Sequence, residues 1–243
     1  MPDYLSLFQL AGGLGIFLVG MIVMTDALRA LAGDSLRKAL LSFTRSPASG
    51  ALTGSLCTAV LQSSSATTVA AVGFVGAGLM SFPSALGIVF GANLGTTITG
   101  WIVALLGFKM NLIALMYPLM LLGAVMRLFL SGRAAHGGLA LAGFGLIFVG
   151  IDQMQQGMSS MQDLLLRLDL PADSWSGRIK LLLIGVVFTV LTQSSSAGVA
   201  AVLTALFTES ITLAQGLSLV IGMDVGTTVT LSLIHISEPT RLQ

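Results

Sequence analysis

The sequence is poor in charge. Only 9% of its 243 residues are Asp, Glu, Lys or Arg, and they sum to +1. A soluble domain carries about 25%. So little charge excludes a disordered chain, a nucleic-acid-binding surface and an ordinary water-soluble domain. Cysteine is nearly absent too. The single Cys57 lies in an apolar run, closes no internal disulfide and reads as a packing residue. The alternating segments of about ten residues that build a transmembrane β-barrel are missing. No Lys or Arg precedes the first apolar run, which starts after Asp3 and is too long for a cleaved signal peptide.

What is present is apolar. Hydrophobic residues make up 55% of the chain, with 29 glycines besides. Charge-free stretches reach the length of about 20 residues that crosses a bilayer as a helix. The composition therefore predicts an all-α polytopic membrane protein. The first apolar segment covers residues 5–28, with Asp26 near its end, and an amphipathic stretch, 29–45, follows. Pro47 is expected to break the helix there. Residues 49–80 carry no charge, and neither do 84–108; 110–126 is a plain apolar span, and Arg127, Arg133 and His136 mark a loop. The series then restarts with an apolar 137–151, a polar 152–180 containing Pro171, and apolar segments 181–207 and 211–230. Asp26 and Asp152 read as solvated caps at span ends, Glu209 as a solvated turn residue, and the methionines as lipid-facing or gap-filling.

The restart is a repeat. Gln62-Ser63-Ser64-Ser65-Ala66 returns 131 residues later as Gln193-Ser194-Ser195-Ser196-Ala197, and GANLGTTIT at 91–99 returns as GMDVGTTVT at 222–230 with the same shift. GLGIFLVG at 13–20 echoes GFGLIFVG at 143–150, one residue off that register. Two motifs kept in register indicate a duplicated unit, 1–131 and 132–230. Matching polar interruptions in duplicated membrane halves point to a transporter's binding site. The halves are inverted if residues 49–80 form a re-entrant hairpin, which leaves three crossings per unit. Arg29, Arg37, Lys38 and Arg45 face only Asp34 in the first unit. The matching loop of the second unit is balanced, with Arg167, Arg178 and Lys180 against Asp152, Asp163, Asp169 and Asp173. Because Lys and Arg favour the cytoplasmic side, this difference favours inversion, although Lys109 then falls outside. Residues 231–241, LSLIHISEPTR, look like the in-frame translation of a sequencing adapter. On that reading 231–243 is a non-native tail, His235, Glu238 and Arg241 carry no argument, and the second unit lacks the counterpart of roughly residues 100–130.

Polar runs in apolar segments predict helix breaks. A break exposes N–H groups at one new end, which attract anions, and carbonyls at the other. Hydroxyls serve either sign, donating to an anion or accepting toward a cation. No arginine lies inside either motif, so the predicted site holds its oxyanion with neutral donors and accompanying sodium. Gly91, Gly95, Gly222 and Gly226 allow close backbone approach and unusual dihedrals.

The paired QSSS motifs with their G-x-N-x-G-T-T elements resemble the type II sodium-dependent phosphate cotransporter family, bacterial members included. The resemblance covers residues 5–230. It implies two inverted-topology repeats, discontinuous helices, and a re-entrant hairpin carrying QSSS in each half. It further implies alternating access in a multi-pass protein of the bacterial inner membrane. Carried over, Gln62, Ser63, Ser64, Ser65, Gln193, Ser194, Ser195 and Ser196 become contacts for inorganic phosphate and sodium. Thr67, Asn93, Thr96, Thr97, Asp224, Thr227 and Thr228 become supporting sodium-site residues. Sodium acts as coupling ion, no cofactor is implied, and no oligomeric state is assigned. Two departures stand out: Asp224 replaces the asparagine of the first unit, and the second motif reads QSSSAGV instead of QSSSATT. Transport of another oxyanion, a channel, and a scaffold linked to phosphate sensing are the alternatives. An intramembrane hydrolase with Ser64 or Ser195 as nucleophile is disfavoured, because no histidine or lysine lies in an apolar span as its base.

Overall fold

The fold is taken from a computed structural model, which describes residues 3–108, 112–167 and 174–237. Lys109, Asp169, Pro171, Asp173, Glu238 and Arg241 lie outside the described residues. Every regular element among those described is helical: α1 (Asp3–Phe43), α2 (Pro47–Leu61), α3 (Ser64–Gly76), α4 (Phe82–Ile102), α5 (Ile113–Phe129), α6 (Gly132–Arg167), α7 (Trp175–Thr192), α8 (Ser195–Phe207) and α9 (Leu213–Ser237). Val103–Phe108 extends α4 as a π-helix. Among the described residues four segments are long and apolar enough to cross a membrane, namely Tyr4–Phe43, Phe82–Phe108, Gly132–Met161 and Trp175–Thr192.

Several helix limits differ from the sequence reading. The amphipathic stretch 29–45 is no separate element: α1 runs on through it to Phe43. At 41 residues α1 is about 60 Å long, twice the hydrocarbon thickness. Likewise α6 passes through Asp152, so neither Asp26 nor Asp152 caps a span. Asp152 is half-buried and accepts a hydrogen bond from Gln156 Nε2 at 2.7 Å. Pro47 opens a helix. It is the first residue of α2 behind the N-cap Ser46, where its missing N–H has no acceptor to lose. The backbone of α9 continues to Ser237, so residues 231–237 extend the last helix of the repeat.

Glycines set the packing. A Cβ on Gly13 would come within 3 Å of Met154 N and Gly150 O, one on Gly20 within 3 Å of Ile147 N and Gly143 O, and one on Gly157 within 3 Å of Leu10 N and Ser6 O. Each seven-residue step along α1 thus meets a seven-residue step back along α6, and the two helices are antiparallel. The echoed segments 13–20 and 143–150 are this seam.

A different relation joins α2 to α4. Gly87 abuts Pro47 O, Gly91 abuts Ala51 O and Gly95 abuts Ser55 O, so these helices run parallel with their starts side by side. For α4 to begin beside the start of α2, the intervening α3 must run back, and α2–α3 is a helical hairpin. The second unit repeats the arrangement, with Gly222 against Leu182 O and Gly226 against Val186 O. The glycines of both GTT elements therefore serve close approach alone. Neither α4 nor α9 is broken there, and the glycines with positive φ among the described residues are Gly78 and Gly132.

The core between α1, α6 and the π-helical segment is built from Phe17, Met21, Met24, Ile151, Met154 and Val103, with methionines as gap-fillers. The outside is apolar as well: Phe8, Leu52, Phe90, Leu121 and Leu128 are exposed. In water that surface would drive aggregation, whereas hydrocarbon is its matching solvent.

Candidate functional site

Both QSSS motifs are helix breaks of one design. Leu61 ends α2, and Gln62 takes the left-handed conformation (φ 54°, ψ 30°); Gln193 does the same after α7 (φ 54°, ψ 23°). That conformation costs a non-glycine residue about 1–2 kcal/mol. The glutamine side chain offsets it by turning back on its own helix. Gln62 Nε2 donates to Ala59 O at 2.6 Å and Gln193 Nε2 to Val190 O at 2.6 Å, satisfying a carbonyl of each terminal turn. Gln62 Oε1 in turn accepts from Thr99 Oγ1 of α4 at 2.5 Å.

The next residue starts a helix. Ser63 Oγ accepts from Ala66 N, and Ser194 Oγ from Ala197 N, each at 3.2 Å. The first serine of each triplet is thus an N-cap. The first-turn N–H groups of Ser64 and Ser65, and of Ser195 and Ser196, have no acceptor within their own helices.

The two breaks meet. Gln62, Ser63, Ser64 and Ser65 line one cavity of about 380 Å³ together with Gln193, Ser194, Ser195 and Ser196. Thr227, one of the supporting residues of the sequence reading, lines this cavity too. Residues 131 positions apart are thereby brought together by the paired hairpins, with two helix N-termini at one polar space.

The supporting residues divide. Asn93, Thr96, Thr97 and Asp224 line a second cavity of about 370 Å³ between α4, α8 and α9. Asn93 and Asp224 occupy matching positions of the two units and so share a space, but not that of the QSSS breaks. Thr67 lies behind its break, buried, where its Oγ1 accepts from Thr58 Oγ1 at 3.0 Å and donates to Ser63 O at 3.2 Å. Thr228 is exposed, donates to Val225 O at 2.7 Å and lines neither cavity.

The sequence reading missed a charged pair. Asp26 and Arg29 line the QSSS cavity from α1, in one stripe with Leu18, Met21, Ile22 and Thr25. Arg29 Nη2 donates to Ser63 Oγ at 2.9 Å, and Nη1 lies 3.6 Å from Asp26 Oδ1. The site is therefore not free of arginine, as inspection of the motifs alone suggested. The signal was available: Leu18, Ile22, Asp26 and Arg29 recur at helical spacing, which requires α1 to continue past Leu28. Thr189 and Thr192, one turn before the second break, were also missed. Among the described residues the lining holds no histidine or lysine.

Among the described residues the protein is thus all-helical, with four helices apolar enough to cross a membrane and two capped breaks at one cavity. The sequence profile of the Na+/Pi-cotransporter family matches residues 16–156 and 157–240, and the chain belongs to that family. It is 32% identical over 231 residues to the uncharacterized protein YqeW of Bacillus subtilis, covering 91% of this chain and 70% of that one. It is 38% identical over 102 residues to the sodium-dependent phosphate transport protein 2A of Ovis aries, and 33% identical over 102 residues to protein 2B of Homo sapiens. Those matches cover 42% and 41% of this chain but only 13% and 15% of the mammalian ones. No solved structure matches the chain.

Proposed function

We propose that the protein is a sodium-coupled transporter of inorganic phosphate, with the cavity between the two QSSS breaks as its substrate site. The observation that carries this reading is the convergence of both motifs on that cavity. Four uncommitted first-turn amides and the hydroxyls of Ser64, Ser65, Ser195 and Ser196 suit a tetrahedral oxyanion. Sodium, a hard cation, takes oxygen ligands from the same hydroxyls and from the glutamine carboxamides. In the second cavity Asn93, Thr96, Thr97 and Asp224 supply a further oxygen-rich set for a coupling ion. Thr227 and Thr67 complete the supporting group, Thr67 by holding the first break in shape, while Thr228 stands outside both cavities. Family membership and the names of the mammalian relatives agree in substrate and ion.

The units 1–131 and 132–230 are inverted repeats with re-entrant hairpins α2–α3 and α7–α8. The antiparallel α1–α6 seam between echoed segments supports this, as does the parallel α2–α4 packing repeated in α7–α9. Of the hairpin arms, α2, α3 and α8, at 15, 13 and 13 residues, fall short of about 30 Å of hydrocarbon, whereas α7, at 18, is long enough to cross. Alternating access follows from the two-fold design. Among the described residues the cavity is lined from α1 and not from its counterpart α6, as in a symmetric pair resting open to one side. The setting is a bacterial inner membrane.

The test is radiolabelled phosphate uptake into proteoliposomes, with sodium compared against potassium and choline. Sodium-dependent uptake, lost at least tenfold in Ser64→Ala and in Ser195→Ala, is the expected result. Uptake equal in all three salts would sink the coupling, and stronger competition by sulfate than by unlabelled phosphate would reassign the substrate.

A further inference from the structure

We propose that Arg29 is an oxyanion-recognition residue of the QSSS cavity, paired with Asp26 until the anion displaces it, and that it sets affinity for the anion while leaving sodium affinity alone. This rests on reading the cavity as the phosphate site. Arg29 stands in neither QSSS motif nor GTT element, but its guanidinium reaches the first residue of the first break, with Nη2 2.9 Å from Ser63 Oγ. The oxygen it touches is the N-cap oxygen of α3. An anion oxygen that takes over this contact therefore lies beside the free first-turn amides of Ser64 and Ser65.

Arg29 is free to change partners. Its pairing with Asp26 is three residues apart on one helix, at 3.6 Å, with the side chains 45% and 67% exposed. Such a pair is weak. A phosphate dianion carries twice the charge of that carboxylate and offers a face that matches the guanidinium fork. The two contacts already made leave N–H donors of the guanidinium to spare. Asp26 balances the charge of the guanidinium when no anion is present and competes with the anion for it; among the described residues the two are the only charged ones in the lining.

The second unit has no such residue. Carrying the register of the echoed segments along the helices, Ser159 of α6 stands where Arg29 stands in α1, and Gln156 where Asp26 does. One guanidinium thus serves a two-fold site, and the two sides of the bilayer meet unequal vestibules.

Uptake kinetics of Arg29→Gln, Arg29→Lys and Asp26→Asn test this in proteoliposomes. Expected for Arg29→Gln is a rise of about tenfold in the phosphate KM at saturating sodium, with the sodium concentration for half-maximal uptake changed less than twofold. Arg29→Lys, which keeps charge but loses the fork, falls between it and the parent. Asp26→Asn, which releases the guanidinium, lowers the phosphate KM. Should Arg29→Gln fail to fold, the opposite KM shifts of the other two variants carry the test. A parental phosphate KM in Arg29→Gln, or in both Arg29→Lys and Asp26→Asn, overturns the proposal while transport stands. A fall in maximal rate at constant KM would make Arg29 a merely structural residue. Parent protein with no sodium-dependent phosphate uptake at all would instead take down the transport reading, and this proposal with it.

Discussion

At the scale of single residues the two breaks are copies with one correlated exchange. In the first unit Thr58 and Thr67 share a buried hydrogen bond across the break. In the second, Thr189 keeps the place of Thr58, but Gly198 replaces Thr67 and Met223 replaces Ala92. The Thr189 hydroxyl is left buried without a partner, and Met223 occupies the space that Thr67 takes in the first unit. A Cβ on Gly198 would meet Met223 Sδ at 2.5 Å. Gly198→Thr alone is therefore expected to destabilise by about 1–3 kcal/mol through overpacking. Adding Met223→Ala removes the clash and gives Thr189 a partner, so the double variant is expected within about 1 kcal/mol of the parent. Unfolding in detergent across the four-member cycle checks this, and additive losses would contradict it. The sequence showed the change from QSSSATT to QSSSAGV. That Met223 compensates for it was hidden, because the contact joins residues from different helices.

At the scale of elements, glycine positions carry the architecture. Gly13 and Gly15 sit two residues apart on α1, but only Gly13 faces α6; nothing lies within 4 Å of a Cβ on Gly15. Gly13→Ala is expected to force the seam apart and lower stability by about 1–3 kcal/mol. Gly15→Ala is expected to raise it by up to about 1 kcal/mol through helix propensity. Thermal unfolding of the two variants side by side decides, and equal effects would refute the seam. The repeated glycine pattern was legible in the sequence, as were the breaks, since serine triplets are N-cap residues in an otherwise apolar run. The ends of α1 and α6 were not legible. Asp26 and Asp152 resemble span termini by polarity, but a helix continues through polar residues once they line a cavity or bond to a neighbour one turn away, as Gln156 does to Asp152.

At the scale of the whole molecule the cavity is lined from both halves of the chain, so a ligand bound there as proposed is expected to protect both. Ser64→Cys and Ser195→Cys are each expected to react with a polar thiol reagent, and sodium plus phosphate to slow both reactions at least threefold. Native Cys57 is 2% exposed and contributes no background. Protection of one cysteine without the other would show that the two breaks do not hold one ligand.

The sequence by itself determined that the protein is a helical membrane protein, that two motifs recur 131 residues apart, and that a helix ends at each QSSS. These follow from composition and from local rules of capping and hydrophobic length, which act within a few residues of chain. Only the tertiary structure decided which residues share a space. It joined the QSSS breaks in one cavity, set Asn93 and Asp224 in another, moved Thr67 behind its break, and carried Asp26 and Arg29 into the site. Those outcomes depend on the parallel and antiparallel seams between helices, where a contact is made by residues that no local pattern relates.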